Sequence, residues 1–252
     1  MNIVVAIKQV PETSQVKMDP VTGTMIREGQ ESIVNPLDLY AIEAANALRD
    51  AHGGKVTAIT MGPMNAHKAL REAIAMGCDD AVLVSDRAFA GADTWSTAYV
   101  LSKTIAQLGD YDLILCGERA TDGDTGQVGP NIAAALDVPL ATYVSEIESV
   151  DLVERELRVW RMTEHGYEKL SLPLPALLTV VKEINFPRLP TLRGKQRARS
   201  AEIPVYSTTN LAVDSDKIGL KGSPTRVIKI ESPKVTRGGT LLKPTDDRSM
   251  EE

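Results

Sequence analysis

Short apolar runs alternate with helix-like segments along the first half of the chain. Four runs are apolar almost without interruption, which is typical of strands buried on both faces of a parallel sheet; they cover residues 2–8, 55–61, 80–84 and 112–116. After each run, apolar residues recur at helical spacing and predict helices over residues 36–50, 64–76, 94–108 and 128–136. This alternation predicts an α/β fold with a parallel-core, doubly wound, Rossmann-like sheet.

Residues with preferences for helix ends support these boundaries. Asn35 is a candidate N-cap that precedes Pro36 at the first helical position, and Asp93 or Thr94 is a candidate N-cap of the third helix. The segment from Val10 to Glu28 is punctuated by proline and glycine. We expect it to form an excursion or a small hairpin before the first helix.

The pattern changes after residue 136. Alternating apolar and polar residues predict antiparallel strands that extend the sheet at one edge, over residues 141–150, 157–162 and 169–172, and a further buried run covers residues 176–181. From Asn185 onward prolines recur and the apolar content falls. Such a segment has little core of its own, so we divide the chain into an α/β nucleotide-binding domain over 1–185 and an extended C-terminal arm over 186–252 that docks on a partner chain.

The stretch from Tyr111 to Leu136 has the layout of a nucleotide site. A buried strand stops at Gly117, a loop of small and acidic residues follows, and a helix begins near Val128. In an open parallel sheet, ligands bind at the carboxyl ends of the strands, and the free amides that open a helix favour phosphate. An ordinary glycine-rich turn is the alternative, which the loop alone leaves open.

Acidic residues in this loop restrict how a nucleotide could lie. Asp122 and Asp124 would repel a phosphate and suit ribose hydroxyls or loop amides, which leaves Thr125, Gln127 and the backbone amides for phosphate oxygens. Ala6 is small and close to the end of the first strand, so it would let a flat ligand approach the backbone, although simple packing is the alternative. With 2 Trp and 2 Phe in the chain, a flat ring would rest against aliphatic side chains or be shared with another subunit.

Other kinds of site find little support in the sequence. No G-x-G-x-x-G follows the first strand and no P-loop motif occurs, so a nucleotide would be held in another way. His52, His67 and His165 lie in no motif with a nucleophile, and we predict no catalytic side chain and no metal site. Cys78 and Cys116 lack a paired spacing and are expected to be buried thiols in a reducing compartment.

Charge and hydropathy bear on location and partners. A net charge of −6 argues against general nucleic-acid binding, and no apolar run is long enough to span a bilayer. The first residues enter a strand pattern without the features of an export signal, so we expect a cytoplasmic protein. The segment 188–199 is basic, and within it Leu189 and Leu192 suit an exposed apolar anchor with a polar rim.

Several motifs make the chain resemble the β subunit of electron-transfer flavoproteins over nearly its whole length. They are VVAIKQVP at 4–11, NPLD at 35–38, AIAMGCDDAVLV at 73–84, CGERATDGDTGQVGP at 116–130 and VKEINFPRLPTLRGKQRA at 181–198. The resemblance implies a heterodimer with an α subunit that carries a mobile FAD, while this chain binds an adenine nucleotide in its parallel sheet. That nucleotide is structural AMP in the mitochondrial-type branch and a second FAD, reduced by NADH, in the electron-bifurcating branch.

The loop DGDTGQVGP at 122–130 resembles the electron-bifurcating branch, as does the segment 91–94. Gly123 and Gly126 would leave room for the larger cofactor and for a nicotinamide ring near the backbone. The resemblance then implies that the β-bound FAD takes a hydride from NADH. One electron would go to ferredoxin or flavodoxin and the other, through the α-subunit FAD, to an acyl-CoA dehydrogenase. A one-FAD carrier whose β subunit holds structural AMP and a stand-alone nucleotide sensor are the alternatives.

Functional residues follow from the resemblance by position. The family's adenine-nucleotide contacts match Ala6, Asn35, Pro36, Leu37, Asp38, Met61, Thr94, Gly117, Glu118, Arg119, Ala120, Thr121, Asp122, Gly123, Asp124, Thr125, Gly126, Gln127 and Val128. Leu192 matches the leucine that anchors a docking loop on the acyl-CoA dehydrogenase. The resemblance implies no catalytic side chain, because the flavin supplies the redox chemistry and the protein supplies position and electrostatics.

Overall fold

The computed structural model describes residues 1–12 and 32–228 of the chain. The strands are β1 (Asn2–Ala6), β2 (Gln9–Pro11), β3 (Ser32–Val34), β4 (Lys55–Met61), β5 (Asp80–Val84), β6 (Leu113–Gly117), β7 (Leu140–Asp151), β8 (Glu156–Thr163), β9 (Gly166–Pro173), β10 (Ala176–Val180) and β11 (Val205–Tyr206). The α-helices are α1 (Pro36–His52), α2 (His67–Met76), α3 (Thr94–Leu108), α4 (Val128–Leu136), α5 (Leu192–Ser200) and α6 (Gly219–Gly222). The strands and helices predicted for the first half are therefore present, close to their predicted bounds.

One large sheet carries the fold. Its order is β11-β5-β4-β1-β6-β10-β7-β8-β9. From β11 to β7 every neighbouring pair is parallel, and only β7, β8 and β9 pair in antiparallel fashion. The predicted α/β class, with a mostly parallel core and antiparallel strands at an edge, is confirmed.

The position of β10 differs from the simplest expectation that the second half only extends the sheet outward. β10 lies between β6 and β7 and is parallel to both. All five of its residues are buried, whereas β9 at the sheet edge is largely exposed. A strand that is buried on both faces is most stable where other strands flank it and helices cover it, which the centre of the sheet provides.

The beginning of the predicted arm packs on the same sheet. β11 pairs with β5 at the edge opposite to β9, and α5 packs against α2. The helix α5 was not predicted; it begins after Thr191, whose Oγ1 accepts a hydrogen bond from the amide of Gly194 at 2.9 Å. Residues 229–252 lie outside the described part, so docking of the arm on a partner stays a prediction.

Helices cover both faces of the sheet. One apolar cluster joins α1, α2 and α5 to strand residues such as Val5, and a second joins α3 and α4 to the alternate residues such as Val4. The chain moves outward from β1 through β4 to β5 and then returns to place β6 on the other side of β1. The gap between β1 and β6 is the topological switch point, where doubly wound folds bind ligands.

A two-stranded sheet, separate from the large one, precedes α1. β2 and β3 pair in antiparallel fashion at the base of the predicted excursion, and the excursion's residues 13–31 lie outside the described part. Both cysteines are buried, as expected. Within residues 1–12 and 32–228, no helix has the length and apolar character needed to cross a membrane.

Candidate nucleotide-binding site

A cavity of about 770 Å³ lies across the carboxyl ends of β5, β4, β1 and β6. Residues that follow each of the four strands line it. Adjacent strands are separated by about 4.8 Å, so the cavity crosses three spacings, or roughly 14 Å. Small-molecule sites commonly occupy about 300–1,000 Å³. The cavity therefore has the size and position of a ligand site in a doubly wound fold.

Asp38 links the two strands at the switch point. Its Oδ2 accepts a hydrogen bond from the amide of Lys8 at 2.7 Å, and its Oδ1 accepts one from the amide of Gly117 at 3.1 Å. The carboxyl group is buried, and burial raises its pKa to about 7, although the two amides and the Lys8 charge act in the opposite direction. Only a glycine fits at position 117, because a Cβ there would lie 2.5 Å from Asp38 Oδ1.

Asn35 holds the loop that follows β6. It occupies the N-cap position of α1, with Pro36 as predicted at the first helical position, but its side chain makes no capping hydrogen bond. Instead, Asn35 Nδ2 donates to the carbonyl of Arg119 at 2.9 Å, and Asn35 Oδ1 accepts from the amide of Thr121 at 3.1 Å. Asn35 is thus the N-cap residue, as predicted, but its buried side-chain amide bonds the loop backbone instead of capping the helix.

The acidic residues of the loop form ion pairs with nearby cations. Lys8 Nζ lies 2.6 Å from Asp122, and Arg119 Nε lies 3.2 Å from Asp124. Asp124 and Gly126 have positive φ angles of 54° and 62°, which turn the loop back toward α4. These pairs reduce the negative charge that Asp122 and Asp124 would otherwise present to an anionic ligand.

The helices α3 and α4 begin at the cavity wall. Thr94 Oγ1, at the start of α3, donates to Gln127 Oε1, just before α4, at 2.9 Å. Asp93 caps α3 by accepting from the Ser96 amide at 3.0 Å. Burial would raise the pKa of Asp93, but hydrogen bonds from Ser96 and Thr225 hold that pKa below its ordinary value. Two helix N-termini at one wall make it suitable for phosphate.

The segment from Ser85 to Ala92 lines the cavity and was not among the predicted contacts, which included only Thr94 from this region. It contains a 3₁₀ helix, Arg87–Phe89, that Asp86 caps through the amide of Ala88 at 3.0 Å. Its location after β5 obeys the same strand-end rule that identified the loop after β6. That rule, applied to the third strand, could have found the segment.

Residues from the beginning of the arm support this segment. Asp86 Oδ2 accepts a hydrogen bond from the amide of Thr208 at 3.0 Å, and these contacts with Ala88 and Thr208 hold the pKa of Asp86 below its ordinary value. The Leu220 amide donates to the carbonyl of Ala90 at 3.1 Å. The arm thus forms the outer support of one cavity wall.

Most predicted contact residues line the cavity. They are Ala6, Asn35, Asp38, Met61, Thr94, Gly117, Glu118, Arg119, Ala120, Gly123, Thr125, Gly126, Gln127 and Val128. The remaining predicted contacts, which do not line it, are Pro36, Leu37, Thr121, Asp122 and Asp124. Leu192 lies elsewhere, at the start of α5, and is 88% exposed.

The cavity combines a polar wall with an apolar one. Lys8, Arg87 and Arg119 contribute cationic side chains, while Met61, Phe89 and other apolar residues provide surface for a flat ring. A Cβ at Gly123 would meet nothing within 4 Å, so the loop leaves open space beside the polar wall. In the part of the chain that the structure describes, no group of three His, Cys, Asp or Glu side chains could hold a metal ion. The residues fit a nucleotide with an attached ring.

The fold and the cavity thus define a doubly wound α/β protein with a cavity of ligand-site size at its switch point. The family model described as the electron transfer flavoprotein domain matches residues 22–211. The electron transfer flavoprotein subunit beta of Thermoanaerobacterium thermosaccharolyticum is 50% identical over 243 residues, which cover 96% of this chain and 92% of that protein.

Two other relatives have different names. Subunit CarD of the caffeyl-CoA reductase-Etf complex from Acetobacterium woodii is 45% identical over 246 residues, covering 97% of this chain and 93% of CarD. Protein FixA of Azotobacter vinelandii is 46% identical over 238 residues, covering 93% of this chain and 85% of FixA. The chain belongs to the electron transfer flavoprotein family, as a β subunit. A β subunit implies an α-subunit partner in a heterodimer.

Proposed function

We propose that the cavity at the switch point binds FAD and that this β subunit is the NADH-oxidising, electron-bifurcating half of its heterodimer. The observation that carries the proposal is the extent of the cavity, which continues past the loop after β6 to the segment after β5. An extended dinucleotide has two flat ends and a pyrophosphate between them. The polar and apolar walls together offer surfaces for all three.

The residues of the polar wall would hold the phosphates and the sugar. The amides that open α4, the Thr125 side chain and the cations Lys8 and Arg87 supply donors of the right charge. Asp38 and Asn35 act behind this wall, because their hydrogen bonds fix the strand ends and the loop. The protein would thus contribute a preformed shape and positive charge rather than a reacting side chain.

Structural AMP is the alternative occupant. AMP would need only the wall formed by residues 117–129 and the neighbouring strand ends, and the ion-paired loop suits it equally well. Under that reading, Met64, Phe89 and the other residues after β4 and β5 would line space that the nucleotide does not use. The continuous cavity therefore favours FAD over AMP.

The redox role rests on the resemblance of the loop and on the family. When bound, FAD would accept a hydride from NADH and release electrons singly, to ferredoxin or flavodoxin and, through the α-subunit FAD, to an acyl-CoA dehydrogenase. The relative CarD is named as part of a caffeyl-CoA reductase-Etf complex, which associates this family with a reductase of a CoA ester. For this chain, the cavity walls formed by the residues that follow β4 and β5 would exclude water from the flavin ring and leave one side of it open for the nicotinamide.

Partner contacts complete the proposal. Leu192 is the predicted anchor for the acyl-CoA dehydrogenase, and its 88% exposure leaves the side chain free to enter an apolar pocket. Part of the arm, residues 186–252, packs on β5 and α3. The rest of the arm would dock on the α subunit.

The test is a cofactor inventory of the co-expressed heterodimer, released by denaturation and quantified by chromatography. The proposal predicts two FAD and no AMP per heterodimer. One FAD together with one AMP would instead identify the chain as the structural half of a simple electron carrier.

A further inference from the structure

Three apolar side chains project from a short loop before and at the start of α5. Phe186 is 96% exposed, Leu189 is 86% exposed and Leu192 is 88% exposed. We call residues 186–192 the docking loop. Apolar side chains this exposed within one short loop indicate a contact surface, but a mobile loop would lose much of its binding free energy on becoming ordered.

A bidentate ion pair between Arg188 and Glu43, which we call the fork, fixes the first half of the docking loop to α1. Arg188 Nε donates to Glu43 Oε2 at 2.7 Å, and a terminal nitrogen of Arg188 donates to Glu43 Oε1 at 3.0 Å. The Arg188 amide also donates to Glu43 Oε2 at 3.1 Å, and another guanidinium nitrogen reaches Asp50 at 3.0 Å. Glu43 is only 9% exposed, so its carboxylate is largely shielded from water, while the Arg188 side chain is 36% exposed.

The helix that follows the docking loop, α5, is fixed to α2. Arg197 donates to the carbonyls of Ile74 and Cys78 at 2.9 Å and 2.6 Å. Gly194 approaches α2 so closely that a Cβ there would lie 2.2 Å from the carbonyl oxygen of Ala75. The docking loop therefore stands between two attachments, one on each helix.

We propose that Glu43 and Arg188 are positioning residues that hold the docking loop in its binding conformation before the partner arrives. The inference rests on the docking role proposed for Leu192. With the loop already ordered, the three apolar side chains can enter a partner's surface without the entropic cost of fixing the backbone. Arg193, Lys195 and Arg199 are exposed beside them, so the partner surface should be an apolar pocket bordered by carboxylates.

The experiment compares Glu43→Gln and Arg188→Lys in the αβ heterodimer, with a purified acyl-CoA dehydrogenase that accepts electrons from the parent. Glu43→Gln keeps the shape but removes the charge, and Arg188→Lys keeps the charge but removes the fork. We expect KM for the dehydrogenase to rise roughly three- to tenfold in both variants, with kcat, flavin content and thermal midpoint close to the parent. Trypsin should also cleave after Arg193 faster in Glu43→Gln than in the parent.

Two comparison variants make the outcome decisive. Arg158→Lys alters a matched exposed pair, in which Arg158 Nε lies 2.6 Å from Glu156 on β8, and should leave KM unchanged. Leu192→Ala reports on docking itself. If Leu192→Ala raises KM but both fork variants match the parent, the positioning role is overturned and the docking role stands. If Leu192→Ala leaves KM unchanged, the docking role fails and the inference fails with it. Should Glu43→Gln not yield a heterodimer, Arg188→Lys decides alone.

Discussion

Asp38 and Gly117 meet at the switch point, where Asp38 Oδ1 accepts a hydrogen bond from the Gly117 amide at 3.1 Å. The other oxygen of the same carboxyl group accepts from the Lys8 amide, just after β1. One buried side chain on α1 thus joins the ends of β1 and β6. The shape of the cavity floor depends on this contact, because both strand ends line it.

Asp38 should make the free energy of unfolding fall as pH rises from about 4 to about 7. Burial raises the folded-state pKa of Asp38 from 3.8 to about 7, so in this interval the unfolded chain releases a proton that the folded chain retains. Asp38→Asn removes the titration. Urea denaturation at fixed heterodimer concentration should show the parent losing a few kcal/mol relative to the variant across this interval. If the parent's free energy of unfolding, relative to that of Asp38→Asn, stays constant or rises with pH, the two amides keep Asp38 ionised.

Gly117→Ala should destabilise the heterodimer by about 1–3 kcal/mol, because its new Cβ would crowd Asp38 and the backbone of Leu37. Gly123→Ala, in the loop that follows β6, is the matched control, since a Cβ there meets nothing within 4 Å. Urea midpoints of the two variants provide the measurement. Equal midpoints for both would contradict the close packing assigned to the strand end.

Arg87→Gln should weaken FAD binding to the apo-heterodimer about tenfold, through loss of a charge-assisted hydrogen bond to phosphate. Lys8 and Arg119 already pair with loop carboxylates, whereas Arg87 has no ion-pair partner in the described ranges. Reconstitution with FAD, followed by fluorescence, gives Kd for the variant and the parent. Arg158→Gln on β8 is the control, and an unchanged Kd for Arg87→Gln would remove Arg87 from the phosphate wall.

Leu192→Ala should slow electron delivery to the acyl-CoA dehydrogenase about five- to tenfold, by loss of an apolar anchor. Flavin content and stability should not change, because the side chain is 88% exposed and contributes little to the core. Val153→Ala, equally exposed at 88% in the turn between β7 and β8, is the control. Steady-state assays with the dehydrogenase as the varied component measure the effect, and equal rates for both variants would exclude Leu192 as an anchor.

The apolar pattern predicted which elements form but not all of their neighbours. The predicted bounds of α3 and α4 hold, and Asp93 caps α3, because these features depend on local spacing and capping chemistry. The position of β10 between β6 and β7, and the pairing of β11 with β5, depend on contacts between residues far apart in sequence, which periodicity does not encode. For the same reason the sequence identified the loop after β6 but not the hydrogen bonds by which Asn35 holds it.

Anaerobic titration of the purified heterodimer with NADH shows whether the β-subunit cavity holds a flavin that NADH reduces. If the β-subunit cavity holds FAD that NADH reduces, absorbance near the flavin maximum should bleach as NADH is added. The total bleaching should correspond to two FAD per heterodimer. A heterodimer whose bound flavin does not bleach with NADH would contradict the account and leave this chain as the AMP-binding partner in a one-FAD carrier.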